Sequence, residues 1–219
     1  MKQFIEQNGN YCIFRVDSEY LHQIAEFIVM ANYSHHSPKM FPADIKEEIK
    51  AVYQEELTYI SSSQVFLVEN NNGKMIGCIR VMKWNKINEL PIQKIFNINP
   101  LDFIHDIQPT SSIWHIGRFA VDSCADVSSV SLFKQLMVYA IAPICQELHS
   151  YMIAECDSKL LRVMGLLGID TIQLGKGIHY LGSETIPVYS TKEGLQNFYN
   201  KFKAPKSPVA KAKELMRVA

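Results

Sequence analysis

The chain has 219 residues, of which 47% are hydrophobic, 11% aromatic and 20% charged, enough apolar content for a full core and too much for a disordered or collagen-like chain. Lys plus Arg and Asp plus Glu each number 22, so the formal net charge is zero and composition builds in no general attraction to nucleic acid or to an anionic membrane. The opening MKQFIEQNGN lacks the basic head, apolar stretch and small-residue cleavage site of a secretory signal, and no apolar run is long enough to cross a bilayer, so a cytoplasmic protein with no transmembrane segment is expected. Cys12, Cys78, Cys124, Cys145 and Cys156 are odd in number, with no CxxC and no His at ligand spacing. They predict buried free thiols, with neither a disulfide framework nor a metal site.

Tyr11 to Ser18 is short, β-branched and aromatic and reads as a strand, with Asp17 and Ser18 able to cap a helix that begins near Glu19. Leu21, Ile24, Ala25, Ile28 and Val29 form that helix's apolar stripe until Asn32 and the run SHHSP break it. Pro42, Ala43 and Asp44 open a second helix whose apolar face is Ile45, Ile49, Val52, Tyr53 and Leu57. QVFLVENNNGKMIGCIRVMKW predicts a hairpin, because Asn and Gly supply the positive φ its turn needs.

The segment from Asn85 to Ser111 is less regular and carries Pro91, Pro100 and Pro109; its length suggests a binding role. SIWHIGRFAVD reads as a strand and SVSLFKQLMVYAIAPICQEL as a long buried helix, kinked or broken after Ala142 by Pro143. The strand YMIAECD follows, then the helix SKLLRVMGLLG closed by Gly168, two strands around Gly182, and a last helix capped by Thr191 and running through Phe202. The composition gives one domain over residues 1–203 and a basic, loosely held tail over 204–219 with a terminal helical turn. The fold class is a mixed α/β (α+β) domain.

That element order resembles the GNAT acyltransferase superfamily. Gly73-Lys-Met-Ile-Gly-Cys-Ile-Arg80-Val, then Leu90-Pro91 and Phe96, then Trp114-His-Ile-Gly-Arg118-Phe-Ala-Val-Asp122, resemble the autoinducer (acyl-homoserine-lactone) synthases and the N-acyl amino acid synthases. The run from Leu160 to Ile169, followed by Leu174-Gly175, resembles the C-terminal helix and loop of those families. The resemblance implies a central, mostly antiparallel mixed sheet flanked by helices, and an acyltransferase moving groups other than aminoacyl. It matches Arg80 and Arg118 to the two arginines of the families' motifs, with Trp114, Phe96 and Phe119 beside them as substrate-binding candidates. His115 stands where the families carry an acid, and the N-terminal residues that hold S-adenosylmethionine in autoinducer synthases have no counterpart in SHHSPKMFPADI.

Acyl transfer to an amine needs a neutral amine, a polarised carbonyl and two reactants held at attack distance. His115 is the expected base, because imidazole titrates near neutrality; Arg118 and Glu155 complete the catalytic set. Strict alternation sets His115, Gly117 and Phe119 on one face and Trp114, Ile116 and Arg118 on the other, unless a bulge at Gly117 intervenes. Arg80 and Arg118 also read as structural cations, which when buried need a carboxylate, and Glu155 is one candidate partner.

The glycine-rich coenzyme A loop of GNAT enzymes is absent from SCADVSSVSLFK, leaving the hydroxyls of Ser128, Ser129 and Ser131 as donors at a helix start. An acyl carrier protein is therefore the favoured donor and coenzyme A the second. Lys134, Lys159 and Arg162 are the candidate contacts for an acidic carrier. Phe103, Ile104, Leu132, Leu136, Met137, Met164 and Leu167 are candidates for an acyl pocket.

The expected function is transfer of an acyl chain from such a thioester co-substrate, with no bound cofactor, to a small amine acceptor such as an amino acid. The alternatives are an acyl-homoserine-lactone synthase using S-adenosylmethionine and a catalytically silent GNAT-like domain that binds an acyl group or a protein.

Overall fold

The computed structural model describes residues 1–36, 44–104, 106–180 and 183–203. Pro42, Ala43, Gly182 and the tail over 204–219, on which some of the expectations above rest, lie outside the described residues.

The chain begins with β1 (Lys2–Asn8) and β2 (Tyr11–Val16), joined at Gly9, whose φ of +56° suits a tight hairpin turn. β1 carries few buried side chains and covers only the outer edge of β2, which is why its polar sequence gives no strand signal. Asp17 caps a single 3₁₀ turn over Ser18–Tyr20, accepting from Glu19 N at 3.2 Å, and α1 (Leu21–His36) follows. The helix runs four residues past Asn32, where its apolar stripe stops. Leu21, Ile24, Ala25, Ile28 and Val29 are all buried, as their spacing predicts.

In α2 (Ile45–Tyr59), Val52, Glu56 and Tyr59 face inward, whereas Leu57 is 36% exposed. Ile45, Ile49 and Tyr53 pack half-buried as expected, and the fully buried positions are Val52, Glu56 and Tyr59, with a carboxylate on an apolar face. The hairpin of β3 (Ser63–Asn70) and β4 (Met75–Lys83) forms as predicted. Asn70 Oδ1 accepts from Asn72 N at 3.1 Å and Lys74 N at 3.0 Å, and Gly73 has a φ of +73°. The irregular segment holds two short helices, α3 (Pro91–Phe96) and α4 (Pro100–Phe103), each with proline at its start.

β5 (Ser112–Val121) leads to α5 (Ser129–Gln146), which runs through Pro143 to its last turn without the break expected after Ala142. The ring removes the bond from residue 143 to the Tyr139 carbonyl and crowds that carbonyl, yet the helix continues to Gln146. β6 (Ser150–Asp157) and α6 (Ser158–Leu166) follow, and α6 ends as predicted at Gly168, with φ +88°. Ile169 N bonds to Met164 O at 3.0 Å and Gly168 N to Gly165 O at 3.1 Å, a Schellman closure. Three strands come next, β7 (Ile172–Gln173), β8 (Ile178–Tyr180) and β9 (Ser183–Thr191), one more than expected. Thr191 Oγ1 then caps α7 (Lys192–Phe202) by accepting from Gly194 N.

Among the described residues nine strands form one sheet in the order β1-β2-β3-β4-β5-β6-β9-β7, with β8 also paired to β9. Every pairing is antiparallel except β5 with β6. α5 and α7 pack Leu132, Phe133, Leu136, Met137 and Phe198 on one face of the sheet, and α1 covers the other through Leu21, Ile24 and Ile28. No described helix is long and apolar enough to cross a membrane.

Candidate active site

β5 and β6 pair only from Ser112 and Ser150 to His115 and Ile153, although both strands run on beyond that point. The two parallel strands separate there and leave a cavity of about 290 Å³ between their ends. The separation starts at a bulge: Cys78 pairs with Ala120 and Arg80 with Gly117, so two residues of β5, Arg118 and Phe119, oppose Ile79 alone.

Arg118 has a φ of +57°, and Cys78 Sγ donates to its carbonyl at 3.3 Å. The extra residue reverses the alternation. His115, Arg118 and Ala120 turn toward α1 and α2, while Trp114, Ile116 and Phe119 turn toward α5. Strict alternation thus fails, and a bulge of the kind allowed for at Gly117 lies one residue later, bringing Arg118 to the face of His115 and moving Phe119 to the other.

On the α2 side the charged residues form one network. Arg118 Nε donates to Glu56 Oε1 at 2.7 Å and its Nη2 to Glu55. Arg80 Nη1 lies 3.4 Å from the same Glu56 oxygen, and its guanidinium sits 5.1 Å from the centre of the Tyr59 ring. Arg80 Nη2 meets His115 Nδ1 at 3.0 Å, and His115 Nε2 meets Glu155 Oε2 at 2.8 Å. Arg80 and His115 are each 1% exposed. Because a guanidinium only donates, Nδ1 accepts from Arg80, and Nε2 carries the ring proton that goes to Glu155.

The carboxylates that partner the two arginines are thus Glu55 and Glu56; Glu155 is joined to Arg80 only through His115. The signal for Glu56 was present in the sequence, in the charge that falls on the apolar stripe of α2. Burial alone would raise the Glu55 pKa, but the charges of Arg118 and Lys94 outweigh it and hold the carboxyl below its ordinary value. Burial pushes the Cys78 thiol up to about 12, which leaves it a packing group.

The cavity is lined by Arg80, His115, Gly117, Arg118, Phe119 and Glu155, with Asp157 also at its wall. Glu155 Oε1 and Arg80 Nε and Nη1 are buried without hydrogen-bond partners. Met137 and Met164 of the expected acyl-pocket set line it, together with Phe133, Met152 and Leu160. A second hollow of about 200 Å³ shares Asn32, Phe119, Asp157 and Leu160 with the first and extends along Ser129, Val130 and Lys159 at the start of α5 and α6.

The other predicted residues lie elsewhere. Trp114 packs in the core on the α5 side, with its indole N–H directed to Glu147. Phe96 packs beside Trp84, Leu90 and Ile92, although its helix sends Pro91, Lys94 and Ile95 to the cavity wall. Ser128 is the exposed N-cap of α5 and makes no side-chain capping bond. Lys134 Nζ lies 5.1 Å from the Phe202 ring centre, and Arg162 is exposed on α6. Among the described residues no group of three or more His, Cys, Asp or Glu side chains is arranged to hold a metal ion, and all five cysteines are free.

No protein-family model matches the sequence, and neither does any curated protein. Solved structures do match its fold. FeeM, an N-acyl amino acid synthase from uncultured soil microbes, is similar with a TM-score of 0.56 at 14% identity, covering 97% of this chain and 99% of its own. The AHL synthase LasI is similar with a TM-score of 0.55 at 13% identity, covering 94% of this chain and 100% of its own. FdhC, a nucleotide-linked sugar GNAT, gives a TM-score of 0.52 at 13% identity over 92% of this chain and 99% of its own.

The chain has a GNAT fold. The opening between β5 and β6 is then the cleft of this GNAT fold, and the Arg80–His115–Glu155 series lies at its closed end, where pairing of the two strands stops.

Proposed function

We propose that this protein is an N-acyltransferase that moves an acyl chain from the thioester of an acyl carrier protein, or of coenzyme A, to the amine of a small acceptor such as an amino acid. The observation that carries the reading is a buried carboxylate oxygen and a buried guanidinium N–H that each lack a hydrogen-bond partner, Glu155 Oε1 and Arg80 Nε, on residues lining one cavity in the GNAT cleft. An unpaired buried polar atom costs stability, and a ligand that pairs it offsets that cost. An α-amino acid offers an amine to the carboxylate and a carboxylate to the guanidinium. The likeness in fold to an N-acyl amino acid synthase supports the same acceptor class.

In the transfer the amine nitrogen attacks the thioester carbonyl carbon, a C–N bond forms and the C–S bond breaks. Glu155 Oε1 receives the amine proton, and the leaving sulfur takes up a proton, so that overall one proton passes from nitrogen to sulfur. Charge that develops on the carbonyl oxygen is met by edge amides of β5 beyond His115, which no longer pair with β6. Phe119, Phe133, Met137, Leu160 and Met164 give the acyl chain an apolar wall. The adjoining hollow toward Ser129 and Lys159 suits the arm that carries the thioester, and Lys159, which lines it, supplies a cation for an acidic carrier docked there.

The test is thiol release and product mass when the purified chain is given acyl thioesters of increasing length and a panel of amino acids. Glu155→Gln is expected to lower turnover by about 10²–10⁴-fold. A lactone formed with loss of methylthioadenosine from S-adenosylmethionine would replace the amino acid acceptor, and thioester binding without turnover would make the domain a silent acyl binder.

A further inference from the structure

Resting on the acyl-transfer reading above, we infer that His115 is a positioning residue: in the space left by the bare backbone of Gly117, Arg80 holds it as the Nε2–H tautomer, and in that state it orients Glu155 so that Oε1 takes the amine proton. This assignment replaces the expectation that the imidazole is itself the base.

The hydrogen-bond inventory decides the role. Nδ1 has one lone pair in the ring plane, and Arg80 Nη2 donates into it at 3.0 Å. A proton on Nδ1 would set donor against donor. Nε2 therefore carries the proton and gives it in a hydrogen bond to Glu155 Oε2 at 2.8 Å, so neither ring nitrogen has a lone pair left for substrate. Along this series the acceptor without a partner is Glu155 Oε1, on a side chain that is 10% exposed. A carboxylate that receives one fixed hydrogen bond on Oε2 has its rotation stopped, and Oε1 is held in one direction.

Gly117 explains why the imidazole fits. A Cβ at this position would stand 2.7 Å from His115 Cε1 and 3.4 Å from both His115 Nδ1 and Arg80 Nη2. The missing side chain is thus the space over which the ring and the guanidinium meet. Arg80 is fixed in turn by Glu56 at 3.4 Å and by the face of Tyr59. The series Glu56, Arg80, His115, Glu155 crosses from α2 through β4 and β5 to β6, tying both walls of the cleft to one helix.

Two readouts test the inference on the full chain. Nitrogen NMR of protein labelled with ¹⁵N-histidine at pH 7.5 should show His115 protonated at Nε2 and bare at Nδ1; a proton on Nδ1 overturns the inference whatever the activity. In turnover, His115→Gln offers an amide oxygen to Arg80 and an amide N–H to Glu155, so it should lose no more than about tenfold, while Glu155→Gln loses about 10²–10⁴-fold. His115→Ala and Gly117→Ala should each lose more than His115→Gln. A fall in His115→Gln as deep as that of Glu155→Gln makes the imidazole the base and overturns the inference. If Gly117→Ala does not fold, the tautomer and the His115→Gln comparison still decide. The two readings fail separately. Absence of turnover in the unaltered chain removes acyl transfer and with it any base, whereas the wrong tautomer or a His115→Gln collapse beside normal turnover removes only the positioning role.

Discussion

Glu56 is the residue on which the buried charges turn, because its single oxygen Oε1 serves Arg118 at 2.7 Å and Arg80 at 3.4 Å while the side chain is 2% exposed. Removing one partner of a buried pair leaves an uncompensated charge. Glu56→Ala should therefore destabilise the fold by about 3–5 kcal/mol in urea unfolding, far more than replacement of an exposed ion-pair partner such as Lys50. Glu55 supplies a pH dependence with a definite sign. Its folded pKa lies below the ordinary 4.5, so its contribution is complete above that value and is lost as pH falls through the lower, folded one. Stability measured against pH should drop on the acid side of 4.5, and Glu55→Gln should flatten that drop. Arg80, His115, Arg118 and Glu155 were all legible in the sequence as a group. Their pairing was not, because alternation along β5 assumes a regular strand, and a one-residue bulge changes which side chains meet. Glu55 and Glu56 sit among acidic residues typical of a solvated helix, and only the position of Glu56 on the stripe Ile45, Ile49, Val52, Tyr59 distinguishes it.

The elements with strong periodicity follow the sequence closely, and those at edges do not. α1, the β3–β4 hairpin and α6 carry their stripes, turn residues and closing glycine in plain view. β1 gave no signal because an edge strand with one neighbour needs little apolar surface, and β8, only three residues long, pairs β9 alone. Of the two outcomes that Pro143 suggested, a kink or a break, the break does not occur, and α5 continues through it to Gln146. Gly168 offers a clean check on element closure. No atom lies within 4 Å of a Cβ built there, so Gly168→Ala pays only for the left-handed backbone, about 1 kcal/mol in thermal or urea unfolding. A much larger loss would mean that packing, not φ, requires the glycine.

Across the molecule the sheet is continuous from β1 to β7, yet among the described residues its one parallel junction, β5 with β6, is held by four residue pairs. The bulge at Arg118 bends β5 away, and α2 fixes the bend through Glu55 and Glu56. The cleft is thus a product of the sequence around position 118 and of a helix some sixty residues earlier, which is why its depth could not be read from β5 alone. Its apolar wall is open to a graded test. Ala154 is 4% exposed and lines the cavity, so Ala154→Leu should fill part of it and lower transfer of the longest accepted acyl chain by about tenfold or more relative to the shortest.

The central claim, transfer of an acyl chain to a small amine in this cleft, is tested most directly by mass spectrometry of extracts from bacteria that express the chain, compared with bacteria that express its Glu155→Gln variant. New N-acyl amino acids are expected in the first extract and their near-absence in the second. Extracts without any new acylated product, together with a purified protein that releases no thiol from acyl thioesters, would contradict the central claim.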